Sequence, residues 1–560
     1  MKKNSFVAGT IISTASIVIV KILGMLYVVP FYAIVGQKGG ALYSYAYNIY
    51  LIFLGISSAG IPNAISKIIS EYNSLGYLEA KNRAYAIGKK IIGYFSIVVF
   101  IILFIFAEEL ATLILGDLKG GNTIEDACFV IRCVSFAVLV IPHLSVTKGY
   151  FQGHRYVTPS STSNLIEQVV RIFVILCGSY LAYKVFNSSL SLAVGIAVSG
   201  AFFGGLVAYF YLKRNMNKYK KDLDIIDDPT KLKTDPVTNK EISKKIISYA
   251  IPFVIINIIS NIYSFTDMVL ILRTLNYLNY NAADVEFITS IISTWGSKIC
   301  MIVNSISMGM TVTLIPAIVE AYATKDIKLL NTRINKALQM VFYTSLPLTL
   351  GLSILATPVW TMFYNTNPYG GKVLRVLIFS AMFGNLSVVV SSTLQSLSKY
   401  KYVYITNAFG CILNALLDVP IMLLCHKLGI GAYYGAMISS LIGYALSITI
   451  GLHLINKERT LSYKDTYKWM AISLIPASIM TIVLLVINKY LPFNLYTKTG
   501  SLITIIIDTV IGGIIFIYLS FKLGILKHIF GDQELERIIK KLTFGKLKIK
   551  KKKTIYILEE

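Results

Sequence analysis

Charged residues are scarce in this sequence, and acidic residues are the scarcest. Only 14% of the 560 residues are charged, whereas 55% are hydrophobic and the mean hydropathy is +0.66. Soluble globular domains carry about 25% charged residues. The composition therefore excludes a soluble globular protein and predicts an integral membrane protein.

Residues that bind metals or act as nucleophiles and bases are also few and scattered. The chain has 6 cysteines without a CxxC pair and 5 histidines without HxxxH or HExxH spacing. A Walker A sequence, which would hold ATP phosphates, is absent as well. The sequence therefore predicts no metal site, no cofactor and no enzymatic activity, and the cysteines are expected to act as small hydrophobic residues.

Basic residues outnumber acidic ones, 53 to 28, which gives a formal net charge of +25. The excess is concentrated in segments 81–90, 213–245 and 457–468, whereas segment 108–126 is acidic. Lys and Arg gather in the cytoplasmic loops of membrane proteins. We therefore expect both termini in the cytoplasm, and the charge requires no nucleic-acid partner.

Long apolar runs make up most of the chain, and each can cross a hydrocarbon layer of about 30 Å. They predict an all-α polytopic membrane protein with about 14 transmembrane helices, because helices satisfy their own backbone hydrogen bonds in lipid. The first run continues past Lys21 without a cleavage site, so we expect a retained span. The predicted spans are 7–35, 41–66, 84–107, 124–147, 157–183, 186–212, 246–272, 286–315, 337–364, 373–397, 402–425, 430–455, 469–488 and 499–521.

The two halves of the chain show weak self-similarity across a polar connection at 214–245. GIPNAISKIISEY resembles TLIPAIVEAYATK, and FQGHRYVTPS resembles LQSLSKYKYV, in the same order in each half. Six spans return the chain to the same side, so these matches predict two parallel-repeat six-helix lobes. The expected parts are an N-lobe at 1–213, a cytoplasmic linker at 214–245, a C-lobe at 246–459, two extra helices at 460–525 and a basic cytoplasmic tail at 526–560.

The tail contains the run KLKIKKKK. Such a polybasic segment is expected to contact anionic membrane lipid, and the simpler alternative is a solvated cytoplasmic end.

Several segments resemble one known family. VKILGMLY, GGALYSYAYNIY, AGIPNAISK and above all KGYFQGHRYVTPSSTSNLIEQVVRIF are similar to the polysaccharide-export and MurJ-type flippases of the multidrug/oligosaccharidyl-lipid/polysaccharide superfamily, particularly the Gram-positive branch with YtgP and the sporulation protein SpoVB. The resemblance covers nearly the whole chain. It implies a flippase of the bacterial cytoplasmic membrane that moves undecaprenyl-pyrophosphate-linked saccharide, such as lipid II, to the outer leaflet. We expect it to act as a monomer.

Two lysines, Lys21 and Lys298, lie deep within predicted spans, and neither has a carboxylate three or four residues away. Ionisable residues at such depth are candidates for function, and two ammonium groups suit the oxygens of a diphosphate. The resemblance implies the same for Lys21, because MurJ-type proteins carry a basic residue followed three positions later by glycine, here Gly24. A second basic residue of some members falls on Tyr27, which leaves fewer phosphate contacts. The alternative, that Lys21 pairs with a carboxylate on another helix, stays open.

Glu167 and Arg171 are one helical turn apart, so they can neutralise each other. The resemblance marks both as characteristic of the family. We interpret them as a gating or structural pair within the N-lobe, with direct substrate contact as the alternative.

A second constellation is acidic. Asn414 and Asp418 are four residues apart on one helix face, and Asp267 lies at a similar depth in another span. Oxygen ligands of this kind suit Na⁺ or a proton, with Ser439 or Ser440 as an added hydroxyl. The sequence therefore predicts cation coupling here, and an interhelical hydrogen-bond network is the alternative.

Three classes of function fit these features to different degrees. An alternating-access flippase accounts for the lysines and the two lobes. A MATE-like cation-coupled multidrug antiporter would need an acid in the first lobe where the chain has Lys21. The alternative that the protein exports another lipid-linked polysaccharide unit stays open. A membrane transferase using the same lipid ranks third, because it needs paired catalytic carboxylates in an outer loop.

Overall fold

The computed structural model describes residues 6–58, 60–223, 237–324, 326–459, 461–531, 548–550 and 557–559. Helices make up almost all of this part of the chain, as follows: α1 Phe6–Leu26, α2 Val28–Ser58, α3 Ile61–Leu75, α4 Leu78–Ile105, α5 Ala107–Leu115, α6 Ile124–Gly153, α7 Val157–Phe173, α8 Leu190–Lys218, α9 Lys220–Leu223, α10 Asn239–Tyr277, α11 Ala282–Ser290, α12 Gly296–Ala323, α13 Ile327–Ile354, α14 Ala356–Tyr364, α15 Gly370–Ser396, α16 Tyr400–Lys427, α17 Tyr433–Arg459, α18 Lys464–Tyr490, α19 Lys498–Lys522 and α20 Ile525–Phe530. Two short strands, β1 Lys548–Lys550 and β2 Ile557–Glu559, pair antiparallel.

Within the described residues, 11 helices are long and apolar enough to cross a membrane. The count rises to 12 if Ala15–Leu26 and Val28–Gly55, which are bent by 42° relative to each other, form one span. The prediction of an all-α polytopic membrane protein is confirmed. The number of 14 spans is compatible with these helices and stays a prediction.

The chain forms two compact units. The first unit comprises Met1–Lys298 and Cys411–Ala436, and the second comprises Ile299–Gly410 and Met437–Glu560. The predicted division into two repeated lobes and two extra helices stays a prediction. The predicted linker and the basic tail lie partly outside the described residues, as does most of the run KLKIKKKK.

Helix α6 occupies the centre of the first unit, where it packs against α2, α3, α4 and α8. Glycines in α6 allow its backbone to approach α3 closely. A Cβ on Gly149 would lie 2.5 Å from the carbonyl oxygen of Pro62, and one on Gly153 would lie 2.8 Å from that of Ser66. The glycines of the GYFQG motif therefore let α6 lie directly against α3, as small residues do at helix crossings in membranes.

The helices of the first unit are interrupted at several points. A break at Tyr27 separates α1 from α2, and Gly36 inside α2 has φ of 67°. Three π-helical turns, Val174–Gly178, Leu181–Val185 and Ile291–Trp295, follow α7 and α11. Such turns rotate the residues beyond them and often occur beside functional sites.

The second unit has its own apolar core, formed by side chains of α13, α15, α18, α19 and α20, which are Tyr343, Leu346, Met382, Ala477, Met480, Leu484, Phe516, Ile525 and Ile529. His528 on α20 stacks on Trp469 and lies 3.3 Å from a carboxylate oxygen of Asp465. Burial nevertheless lowers the pKa of His528, which outweighs the attraction of that carboxylate. The neutral imidazole therefore fastens α20 to α18.

Candidate functional site

Lys298 lies in the first turn of α12, immediately after the π-helical turn Ile291–Trp295. Its half-buried ammonium nitrogen is 5.0 Å from the ring centroid of Tyr47 and 6.0 Å from that of Tyr27. Both distances are within the range of a cation–π interaction. Among the described residues, no carboxylate forms an ion pair with Lys298. The positive charge is held by aromatic faces and stays available to an anion.

The tyrosines around this lysine form a ladder on one face of α2. Tyr43, Tyr47 and Tyr50 are spaced i, i+4 and i+7, and this spacing aligns them along a helix. The rings of Tyr43 and Tyr47 stack with centroids 5.6 Å apart, and those of Tyr47 and Tyr50 are 6.3 Å apart. The hydroxyl oxygens of Tyr27 and Tyr43 are 3.3 Å apart. We call Lys298, Arg171, Tyr27, Tyr43, Tyr47 and Tyr50 the cationic site.

Contacts between α2 and the π-helical turn fix the position of Lys298. The indole nitrogen of Trp295 donates a hydrogen bond of 3.1 Å to the carbonyl oxygen of Gly40, and the hydroxyls of Ser44 and Thr294 are 2.6 Å apart. A Cβ on Gly40 would lie 3.1 Å from the indole nitrogen of Trp295, so a side chain there would push the π-helical turn away from α2. The backbone that carries Lys298 is therefore held against the tyrosine ladder.

Arg171 lies in the last turn of α7 and contributes the second cation of the site. Its guanidinium is 3.1 Å from Glu167, and the other oxygen of Glu167 is 2.9 Å from the ammonium of Lys148 on α6. The side chains of all three are between 15% and 19% exposed. The predicted pair is present and has a third member, which ties α7 to α6. Its role in gating stays a prediction.

Lys21 is half-buried on α1, which packs against α7. The hydroxyl of Ser16 donates a hydrogen bond of 2.8 Å to the carbonyl of Ser161, and a Cβ on Gly24 would lie 3.3 Å from the side-chain nitrogen of Gln168. The motif of Lys21 and Gly24 is therefore explained in part by close helix packing. A role for Lys21 in phosphate binding stays a prediction.

Asp267 and Asn414 meet in the first unit, where the amide of Asn414 donates a hydrogen bond to the carboxylate of Asp267. Asp418 is one turn further along α16 and is fully buried, and Asp267 is 8% exposed. We call Asp267, Asn414 and Asp418 the acidic site. Ser440 is buried on α17 in the second unit. No cluster of three or more metal-binding His, Cys, Asp or Glu occurs in the part of the chain that the structure describes.

Reasoning from charge alone missed the tyrosines of α2. Buried tyrosine is common in helical cores, and the run YSYAYNIY therefore attracts little notice. The available signal was the i, i+4, i+7 spacing of Tyr43, Tyr47 and Tyr50. Tyr27 is a further residue of the site that charge does not reveal, because its ring centroid lies 6.0 Å from the ammonium of Lys298.

Comparison with known proteins agrees with this architecture. The family model described as polysaccharide biosynthesis protein matches residues 6–320, and the MatE model matches residues 290–419. The lipid II flippase MurJ of Bacillus subtilis (strain 168) is 31% identical over 540 residues, covering 94% of this chain and 97% of that protein. Stage V sporulation protein B of the same organism is 24% identical over 343 residues, covering 61% of this chain and 63% of that protein.

Solved structures share the fold at low sequence identity. The inward closed conformation of the lipid II flippase MurJ has a TM-score of 0.66 at 16% identity and covers 92% of this chain and 99% of that one. An inward-facing multidrug resistance MATE transporter of the MOP superfamily has a TM-score of 0.64 at 14% identity and covers 79% of this chain and 96% of that one. The predicted superfamily is confirmed.

Proposed function

Because the chain belongs to the polysaccharide biosynthesis protein family, we propose that it moves an undecaprenyl-pyrophosphate-linked saccharide from the inner to the outer leaflet of the bacterial cytoplasmic membrane. Lipid II is the leading candidate substrate, since a lipid II flippase is 31% identical along nearly the whole chain. The protein is a multi-pass integral membrane protein, and the proposed activity is transport without a chemical reaction.

The observation that carries this proposal is the excess of positive charge in the cationic site. Arg171 and Lys298 supply two cations, and Glu167, the carboxylate that pairs with Arg171, is shared with Lys148 outside the site. The ammonium of Lys298 rests on tyrosine rings. Buried charge without a counterion is costly, so such a site favours a polyanion. A diphosphate offers charge and several strong acceptor oxygens.

In the proposed cycle, Lys298 and Lys21 hold the diphosphate while the two sides of the protein open in turn. The tyrosine ladder provides aromatic faces and hydroxyl donors beside the phosphates. Rigid aromatic side chains hold their geometry at small entropic cost, which suits a site that must bind the head group and then release it.

The acidic site is proposed to couple this cycle to Na⁺ or a proton. Asp267 and Asp418 are carboxylates and Asn414 brings an amide, all buried in the first unit. Cation binding would neutralise these groups, and transport would then be driven by an ion gradient in the absence of ATP-binding residues.

Transport of fluorescent lipid II in proteoliposomes tests the proposal. The wild type should flip the lipid, and Lys298→Ala and Lys21→Ala should each abolish flipping while folding and insertion remain intact. The matched control is Lys184→Ala, since Lys184 also lies over a tyrosine, 5.1 Å from Tyr183, but is exposed. The control should flip normally.

Two results would overturn the proposal. Normal flipping by Lys298→Ala would show that Lys298 does not hold the diphosphate. Transport of cationic dyes without transport of lipid-linked sugar would favour the MATE-like antiporter, which the MatE match over residues 290–419 keeps as the second candidate.

A further inference from the structure

A small cavity lies between α2, α6, α7 and α8 in the first unit. Its volume is about 10 Å³, which is enough for one atom the size of a water oxygen. The polar part of its wall is formed by Arg171 and the tyrosine ladder, and the rest is apolar, from Val134, Ile175, Ala197, Val198 and Ala201. The cavity is thus a narrow recess with hydrogen-bond donors on one side.

Two donors in this wall have no protein partner among the described residues. These are the hydroxyl of Tyr50 and the Nε of Arg171. Tyr50 is only 1% exposed, so its hydroxyl is cut off from bulk water. Buried polar groups without a partner are rare in folded proteins, and each costs free energy unless a ligand or water satisfies it. Both atoms therefore indicate a missing acceptor.

The electrostatics of the recess favour an anionic acceptor. Glu167 is shared between Lys148 and Arg171, so the trio retains a net positive charge. Tyr47 lies within electrostatic reach of both Arg171 and Lys298 and lines the recess as well. Tyr47 therefore links the recess to the place where Lys298 presents its ammonium.

We propose that Arg171 and Tyr50 form an oxyanion subsite, which binds one non-bridging oxygen of a phosphate while Lys298 binds the other phosphate of the same diphosphate. This inference rests on the proposed function and makes it more specific. Two phosphate subsites distinguish a diphosphate-linked lipid from a monophosphate-linked one. Arg171 is then a substrate-binding residue as well as a member of the ion-paired trio.

Replacing the Tyr50 hydroxyl separates this role from a structural one. In Tyr50→Phe the ring is kept, and the lost hydroxyl makes no hydrogen bond to a described protein group. A purely structural role predicts unchanged or slightly increased thermal stability and unchanged ligand binding. The subsite predicts a loss of affinity for diphosphate, because a hydrogen bond to a charged group is removed. The expected loss is about tenfold.

The measurement is equilibrium binding of undecaprenyl diphosphate and undecaprenyl monophosphate to the full-length protein in detergent at fixed chloride concentration. Wild type should prefer the diphosphate, and Tyr50→Phe and Arg171→Gln should reduce that preference. The matched control is Tyr45→Phe, because Tyr45 is fully buried on the same helix and does not line the recess. It should keep the wild-type preference.

The outcomes separate the two proposals. If wild type prefers diphosphate and Tyr50→Phe keeps the full preference, the oxyanion subsite is wrong while the diphosphate site at Lys298 stands. If wild type binds both lipids equally, the proposed function and the subsite are both overturned. If Tyr45→Phe loses the preference as Tyr50→Phe does, the effect comes from general packing of α2, and the subsite is rejected.

Discussion

The cationic site and the acidic site are built on the same local geometry but have opposite charge. In each, side chains four residues apart face one way, Tyr43 and Tyr47 on α2 and Asn414 and Asp418 on α16. The cationic site surrounds Lys298 with phenol rings, whereas the acidic site places the amide of Asn414 on the carboxylate of Asp267. The proposed function thus assigns a polyanion to the first site and a small cation to the second.

The difference shows that the residues around a buried charge determine whether it stabilises the fold or binds a ligand. Arg171 shares Glu167 with Lys148, which ties it into the scaffold and leaves the trio with one positive charge in excess. The ammonium of Lys298 lies over the rings of Tyr47 and Tyr27 and forms no ion pair with a carboxylate among the described residues, so its charge can attract a ligand. Buried ion pairs contribute little net stability, but an incompletely neutralised charge keeps a strong demand for a counterion.

Reversing the charge at the centre of the cationic site should have the largest effect. Lys298→Glu places a carboxylate against the diphosphate, and like-charge contacts cost several kcal/mol. We expect the initial rate of lipid II flipping in proteoliposomes to fall at least about 100-fold, whereas Lys298→Arg should retain most of the activity. Equal flipping rates for Lys298→Glu and Lys298→Arg would show that the charge at position 298 does not matter for transport. The contrast between the cationic site and the acidic site would then be wrong.

Neutralising the acidic site should have a smaller and different effect. Asp267→Asn keeps the shape and the contact with Asn414 but removes a negative charge. Flipping driven by a sodium or proton gradient should slow about tenfold, and binding of the diphosphate lipid should be unchanged. Measuring rate with and without each gradient identifies the ion. A variant that responds to the gradients as wild type does would show that the acidic site is a structural network.

The smallest effect on transport is expected at Glu167, the carboxylate of the ion-paired trio. Glu167→Gln leaves Lys148 and Arg171 without their shared counterion, and breaking a buried pair costs about 3 kcal/mol. Thermal unfolding in detergent should therefore begin at a lower temperature, while the affinity for undecaprenyl diphosphate changes little. A loss of affinity at wild-type stability would place Glu167 in ligand binding.

Much of the fold follows from the sequence, because transmembrane helices are encoded locally. The apolar runs around Leu78–Ile105 and Ile124–Gly153 are long enough to identify without tertiary information. The breaks within the helices, in contrast, do not follow from the local sequence. The π-helical turn Ile291–Trp295 falls inside a predicted continuous span, and it exists where Trp295 docks on Gly40, a contact 255 residues away in sequence. Such a break depends on packing that a local pattern does not contain.

The residues of the candidate sites also fall into two groups, those that the sequence identifies and those that only the structure reveals. Lys298, Asp267 and Asp418 stand out in the sequence because charge is costly at membrane depth. Tyr50 does not, since only the structure reveals that its buried hydroxyl has no partner in the described part of the chain. The sequence predicts only that Asp267 and Asn414 lie at a similar depth in two spans. The hydrogen bond between them depends on how the helices pack and is seen only in the structure.

The most direct test of the central claim is native mass spectrometry of the protein purified from its own membranes. The wild type should carry a polyprenyl diphosphate-linked saccharide, and the mass of the bound lipid would identify the sugar. Lys298→Ala should lose this adduct while Lys184→Ala keeps it. Retention of the diphosphate lipid by Lys298→Ala at the wild-type level would contradict the account.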